Sequence, residues 1–335
     1  MSLQIPENYK SNLSGRETEK AIKFIKDTFQ HEIISALNLQ RISAPLFVRP
    51  ETGLNDNLNG VERPVSFDAP CIGGATLEIV HSLAKWKRMT LGRYGFEKGE
   101  GLYTDMNAIR RDEEVDNLHS MYVDQWDWEA VIEKSDRNIE TLKSYVKSIY
   151  TAMKSTQSRV CQKYKEIENN FPDEITFITT QELEDMYPDD EPKERENKLL
   201  REKKAVFLMQ IGKDLKSGKK HDGRAPDYDD WELNGDILIY YPLLDMAYEL
   251  SSMGIRVDED SLAEQIKIAN CEDRLQLDFH KKLLNKELPY TIGGGIGQSR
   301  LCMFMLGKAH IGEVQASVWP DDMRKVCNDH GIKLL

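Results

Sequence analysis

The segment Thr291–Arg300 holds four glycines in five positions and then Gln298, Ser299 and Arg300. Glycine carries no side chain, so another group can approach its backbone closely. Gln298 breaks the dinucleotide pattern GxGxxG, and no GK[ST] follows, so neither that fingerprint nor a P-loop is present. A nucleotide could lie flat against this strand with the Arg300 guanidinium stacked on its base. A tight turn with Arg300 in a surface ion pair is the competing reading.

Along Met121–Glu129 a period of two sets Gln125 and Asp127 on one strand face and Asp124, Trp126 and Trp128 on the other. Polar groups are costly to bury unpaired, so the Gln125/Asp127 face suits a pocket for an ammonium and an amide or carboxyl group. An edge strand with one wetted face would give the same pattern. On the preceding strand, Arg110 and Arg111 could reach phosphates.

Three aspartates, Asp227, Asp229 and Asp230, lie between Arg224 and Trp231, and Asp236, Glu249 and Asp258 follow. Paired carboxylates near a nucleotide commonly hold Mg²⁺, a hard cation that takes oxygen ligands and keeps several waters. Surface acidity is the alternative. His81, His119 and His221 have no metal-site spacing and read as structural. The five cysteines, Cys71, Cys161, Cys271, Cys302 and Cys327, form no CxxC pair, so reduced thiols are expected.

These groups need elements to position them. Apolar residues every three or four positions from Ile22 to Leu37 predict a helix over 16–38. A strand with an edge character follows at Ile42–Val48, broken by Pro45. Residues 49–74 read as loop, Thr76–Val80 as a strand, and Ser82 as the N-cap of a helix over Leu83–Leu91. Gly101–Arg111 and Leu118–Val131 read as an antiparallel hairpin, and 129–170 as one or two amphipathic helices. Ile175–Thr179 is a strand, Thr179 with Glu182 a capping box, 188–204 charged helix or loop, and Ala205–Ile211 a buried strand. Gly212–Gly235 reads as a long polar loop, of a length that is usually functional. Asp236–Tyr241 and Ala247–Val257 are strands, 260–270 and 273–286 helices, and Gln298–Leu306 a last helix. No regular βαβ alternation is present, so an α+β fold on one antiparallel sheet flanked by helices, in a single domain over 1–335, is expected.

The 335 residues carry 45 basic and 57 acidic side chains, a net charge of 45 − 57 = −12, with 40% hydrophobic and 30% charged residues. That balance is globular and works against nonspecific polyanion binding, which depends on Lys and Arg neutralising phosphates. Wholly apolar runs such as Ala205–Met209 are far short of the roughly 20 residues that span a bilayer. The start MSLQIPENYK has no basic region followed by an apolar stretch, so no signal peptide and a cytoplasmic location are expected.

Taken in order, Val80–Arg88, Gly99–Thr104, Tyr122–Glu129, Arg224–Trp231, Asn234–Ile237, Glu249–Val257 and Gly293–Arg300 closely resemble the ammonia-dependent asparagine synthetases, a family of aspartate–ammonia ligases. The helix and strand ending at Pro45, the Arg110 hairpin and the glycine run ending at Arg300 are similar to motifs 1, 2 and 3 of class II aminoacyl-tRNA synthetases. The resemblance implies a class II synthetase-like catalytic core, a homodimer built on motif 1, and no separate tRNA-binding domain. It implies the substrates L-aspartate, ATP and ammonia, with Mg²⁺, no nucleic-acid partner and no membrane partner. Aspartate is to be adenylated on its β-carboxylate and then converted by ammonia to asparagine and AMP. Arg110 is matched to the arginine on the α-phosphate, Arg300 to the arginine at adenine or the γ-phosphate, and Asp236 and Glu249 to metal ligands. Ser82, Lys87, Gln125 and Asp127 match the aspartate pocket, with Lys87 for the α-carboxylate and Asp127 for the α-ammonium. Ser252 and Arg256 are matched to support of the substrates and nucleotide. Asp56 and Asp229 are matched to carboxylates near the incoming nitrogen. A tRNA or peptide-modifying ligase of the same superfamily, or a silent paralogue that senses aspartate, would share several of these residues.

Overall fold

The computed structural model describes residues 3–58, 60 and 62–335. Asn59 and Val61 of the predicted 49–74 loop lie outside them.

The chain opens with α1 (Gly15–Leu37), started by a capping box between Ser14 and Glu17 and closed by Asn38 in the left-handed region. Its stripe of Ala21, Ile22, Ile25, Phe29, Ile33 and Leu37 is buried, as the spacing predicts. Of the predicted edge strand Ile42–Val48 only its last two residues are strand, and a separate short strand lies just before it. Leu39–Arg41 (β1) pairs parallel with a later strand, while Phe47–Val48 (β2) joins β3 (Ser66–Ala69) and β4 (Ala75–Ile79) in a small sheet. Residues 42–46, with Pro45 among them, are not strand, so the missing N–H of Pro45 breaks no ladder.

Next come α2 (Ala84–Tyr94), the hairpin β5 (Gly101–Ile109) and β6 (Tyr122–Val131), and α3 (Ile139–Lys163). Helix α2 begins at Ala84 after Leu83, which makes no side-chain cap. Ser82 is therefore not its N-cap, and its Oγ only accepts a long bond, 3.4 Å, from the Ala84 N–H. Then follow β7 (Thr176–Thr179), α4 (Thr180–Met186), α5 (Pro192–Lys203), β8 (Ala205–Met209), β9 (Asp229–Tyr241) and β10 (Met246–Arg256). The chain closes with α6 (Glu259–Ile268), α7 (Asp278–Leu284), β11 (Thr291–Gly297), α8 (Gln298–Leu306) and α9 (Asp321–Asp329).

Among the described residues eight strands form one sheet in the order β1-β5-β6-β11-β10-β9-β8-β7. Its six central strands are antiparallel, and the outer pairs β1/β5 and β7/β8 are parallel. One face is covered by α1, α3 and α8, where Phe29 meets Trp126 at 4.8 Å between ring centroids and Trp128 stacks on Tyr145 at 5.8 Å. Burial of this face supplies the main driving force, since each large apolar side chain removed from water contributes about 1.5–3 kcal/mol. On the other face α2 packs against β6 and β11, leaving the strands beside it to carry polar groups.

Candidate active site

Register decides which polar groups meet. Across four strands, Asp127 lies opposite Gly295, Gly295 opposite Ser252, and Ser252 opposite Asp236. Directly opposed residues share a face, so these four form one row across the sheet. In the next row Glu129 is opposite Gly293, which is opposite Gly254. A register shift between Glu249 and Ser251 bends β10. Without it, Glu249 and Ser252 would point to opposite faces; with it both line the same cavity.

The glycines are there to leave room. A Cβ on Gly295 would sit 2.4 Å from Gln125 Oε1 and 2.8 Å from Asp127 Oδ1, and one on Gly293 2.0 Å from Glu129 Oε2. On the opposite face, a Cβ on Gly294 would meet the Met253 Cβ at 2.6 Å. The glycine run is strand from Thr291 to Gly297, so the alternative of a tight turn is not what it adopts.

Above this floor is a cavity of about 370 Å³ lined by Asp56, Ser82, Lys87, Arg110, Gln125, Asp127, Asp229, Glu249, Ser252 and Arg256. A second cavity of about 350 Å³ adjoins it and is lined by Arg110, Gln125, Glu249, Gly297 and Arg300. Arg110, Glu113, Gln125, Glu249 and Gly295 belong to both. The Arg110 Nε is buried without a hydrogen-bond partner, and its nearest anion is Glu113 at 3.8 Å. Arg300 contacts Glu249 at 3.5 Å and donates to its main-chain oxygen at 3.1 Å.

Lys87 is fully buried on α2 and donates to the main-chain oxygens of Trp128 and Gly294, both at 3.0 Å, with Asp127 at 3.3 Å. Burial pulls its ammonium below the usual lysine range, against the pull of Asp127 and Glu129. Three partners already occupy it, so a contact with a substrate carboxylate, as the resemblance implies, requires one of them to be exchanged. Its present geometry fixes Asp127.

Arg256, expected on the nucleotide, lines the first cavity and not the second. Its guanidinium forms a bidentate pair with Glu129, 2.7 Å at the shortest, and also bonds Asp229. Burial raises the Glu129 carboxyl, but Arg256 and Lys87 outweigh it and hold the acid below its ordinary value. This geometry fits a role in orienting Asp229 rather than a phosphate contact.

Asp236 and Glu249, expected as metal ligands, behave differently. Burial, reinforced by the neighbouring charge of Glu249 and opposed by Arg224, pushes Asp236 up to about 6. At Glu249, whose side chain is 41% exposed, desolvation raises the carboxyl, but Arg300, Lys193 and Arg224 outweigh it and hold the acid down. Two carboxylates whose charges oppose one another fit a divalent cation that draws its remaining ligands from water and phosphate. Among the described residues no group of three or more acidic, His or Cys side chains gathers as a closed metal site.

Of the acids in the Arg224–Trp231 segment, only Asp229 reaches the cavity. Asp227 is buried against Lys85 at 3.0 Å, His280 at 3.0 Å and Arg274 at 3.5 Å, anchoring the segment to α2 and α7. Asp230 pairs with Arg137 at 2.7 Å. Three cavity residues escape a reading of local pattern, Arg224, Tyr228 and His81, as does Glu129, the partner of Arg256. Glu129 was within reach, because the alternation that pairs Gln125 with Asp127 continues to it.

A family model described as Aspartate-ammonia ligase matches residues 16–331. The aspartate–ammonia ligase of Ruminiclostridium cellulolyticum is 68% identical over 334 residues, covering 100% of this chain and 99% of that one. The enzyme of the same name from Lactobacillus johnsonii is 62% identical over 336 residues, covering all of both. Among solved structures, asparaginyl-tRNA synthetase from Pyrococcus horikoshii, complexed with asparaginyl-adenylate, has a TM-score of 0.65 at 15% identity, covering 91% of this chain and 70% of that one. Aspartyl-tRNA synthetase from Entamoeba histolytica gives 0.57 at 16% identity, covering 89% of this chain and 58% of that one. At such identities the likeness is one of fold, the class II synthetase core.

Proposed function

The chain belongs to the aspartate–ammonia ligase family, and from that premise we propose how its two cavities divide the work. The protein is a ligase that joins L-aspartate and ammonia at the expense of ATP. Aspartate occupies the first cavity and the nucleotide the second, with its α-phosphate at the boundary that Arg110 shares.

A carboxylate resists ammonia because it is anionic and its oxygen leaves poorly. In the first step a β-carboxylate oxygen of aspartate bonds to the α-phosphorus of ATP while the bond to pyrophosphate breaks. In the second, ammonia bonds to the acyl carbon, the bond to AMP breaks, and the nitrogen gives up one proton. Asp127, set by Lys87, offers a carboxylate to the α-ammonium, and Ser82 and Ser252 flank it. Gln125 and Arg110 supply donors where charge develops on the phosphate, the usual largest contribution to such a step. Asp56 and Asp229 place carboxylates beside the incoming nitrogen. Asp236 and Glu249 would hold Mg²⁺, which supplies charge neutralisation on the phosphates. Holding both substrates on one floor contributes through proximity.

The observation that carries this reading is Arg110: a buried guanidinium nitrogen without a partner, on the wall common to both cavities. The test is product analysis with aspartate, ATP, Mg²⁺ and ammonium. AMP and pyrophosphate are expected, and ADP with phosphate would refute the adenylate.

A homodimer is part of the proposal. Leu46, Phe47 and Phe67 are 48%, 44% and 40% exposed on the small sheet just beyond α1 and β1, and the two phenyl rings meet edge-on at 5.3 Å. Apolar side chains gathered on a surface suit a partner. The net charge of −12 removes the electrostatic support that tRNA binding needs. Among the described residues no helix is long and apolar enough to cross a membrane.

A further inference from the structure

His81 precedes α2 and is 1% exposed, yet it lines the first cavity with Asp56, Ser82 and Tyr228. Sequence spacing marks it as structural. Its main-chain N–H donates to Asn55 Oδ1 at 2.9 Å, and its Nδ1 lies 3.1 Å from the main-chain oxygen of Asp56. A carbonyl oxygen can only accept, so Nδ1 carries a proton, and the tautomer this selects has its lone pair on Nε2. That Nε2 is buried and, among the described residues, has no hydrogen-bond partner. In that tautomer the ring offers a hydrogen-bond acceptor at the cavity wall, beside Asp56, Ser82 and Tyr228.

The ligand such a group lacks is a nitrogen or oxygen bearing a hydrogen. Near Asp56, which the proposed function sets beside the incoming nitrogen, that ligand is ammonium. We propose that His81 is a further catalytic residue, its Nε2 taking the proton that turns ammonium into the nucleophile. This rests on the adenylation reading above. In the step, an N–H bond of ammonium breaks and its electron pair stays on nitrogen while the proton goes to Nε2. The freed pair forms the C–N bond to the acyl carbon as the C–O bond to AMP breaks, its electrons leaving on the phosphate oxygen. The second surplus proton is shed from the amide nitrogen to solvent. His81 and Asp56 have complementary parts, the carboxylate attracting the cation and the imidazole accepting the proton.

The test uses the full chain and two nucleophiles at a fixed pH of 7. Hydroxylamine is largely neutral there and attacks without first losing a proton, whereas ammonia must be released from ammonium. Two variants guard against misfolding: His81→Asn, whose amide can keep the bond to the Asp56 carbonyl, and His81→Gln. Aspartate-dependent exchange of pyrophosphate into ATP and hydroxamate formation should stay within about twofold of the unsubstituted chain in at least one variant. Ammonia-dependent release of AMP should fall by about 100-fold, the lower end of general-base contributions. An equal fall with both nucleophiles, or an unchanged ammonia rate, overturns the proposal and returns His81 to a structural part. Absence of pyrophosphate exchange in the unsubstituted chain instead overturns the adenylation reading, and this proposal with it.

Discussion

The guanidinium of Arg224 lies 2.6 Å from Asp236 Oδ1 and also donates to Ser252 Oγ, so one arginine ties Asp236, the proposed metal ligand, to the strand opposite Gly295. Replacing it by Met removes the countercharge from a buried acid. Breaking a buried pair costs about 3–5 kcal/mol, and the lower end is expected because Asp236 can take up a proton. A divalent cation on Asp236 and Glu249 should restore part of that loss. Urea unfolding of Arg224→Met with and without Mg²⁺ checks this: a larger Mg²⁺ stabilisation than in the unsubstituted chain is expected, and an equal one would separate Arg224 from the metal site.

Neighbouring glycines should give opposite phenotypes. Gly295→Ala puts a methyl against Gln125 and Asp127, so the fold should survive while KM for aspartate rises roughly 10- to 100-fold, the equivalent of about 1–3 kcal/mol of overpacking. Gly294→Ala drives a methyl into Met253 and the Ser252 main chain, so the melting temperature should fall instead. Steady-state kinetics and thermal melts on the pair separate the two faces of one strand.

Arg110→Ala should slow aspartate-dependent pyrophosphate exchange by about 10²–10³-fold, the loss expected for one preorganised donor. Stability should change by less than about 0.5 kcal/mol, since its nearest anion, Glu113, is 3.8 Å away. An unchanged exchange rate would take Arg110 out of the chemistry.

His310 offers a pH test away from the site. Burial pushes its imidazole down to about 4, with Asp116 opposing weakly, and its Nε2 is buried without a partner beside Trp319. The folded state therefore binds its proton less readily than the unfolded chain, where histidine titrates near 6.5. The stability tied to the neutral ring is present above about 6.5 and is lost as pH falls towards 4, amounting to roughly 3 kcal/mol at most. Melting curves between pH 7 and 4.5 should show a decline that His310→Gln flattens.

The parts of this molecule that speak through local periodicity were legible. The α1 stripe, the Gly101–Val131 hairpin, the Thr179/Glu182 capping box and the split of Gln125 and Asp127 from Trp126 and Trp128 all follow from spacing. The start of β9 was not, because Asp229–Asn234 reads as polar loop. Those groups tolerate a strand only because distant partners satisfy them: Asn234 bridges the N–H and carbonyl of Ile211 at 2.9 Å each, Gln265 takes up the Asp229 carbonyl and the Trp231 N–H, and Arg137 pairs with Asp230. Nor does any local pattern show that β1 pairs parallel with β5 some 60 residues on, or that a bulge turns Glu249 towards Ser252. Arg224 looks like any loop arginine until the fold brings Asp236 to it.

The central claim is that a side-chain acid of aspartate captures the adenylyl group. Aspartate labelled with ¹⁸O in its β-carboxylate, turned over with ATP and ammonium, should yield AMP carrying one ¹⁸O on its phosphate, as read by mass spectrometry. Unlabelled AMP, with the heavy oxygen in inorganic phosphate or pyrophosphate instead, would contradict it.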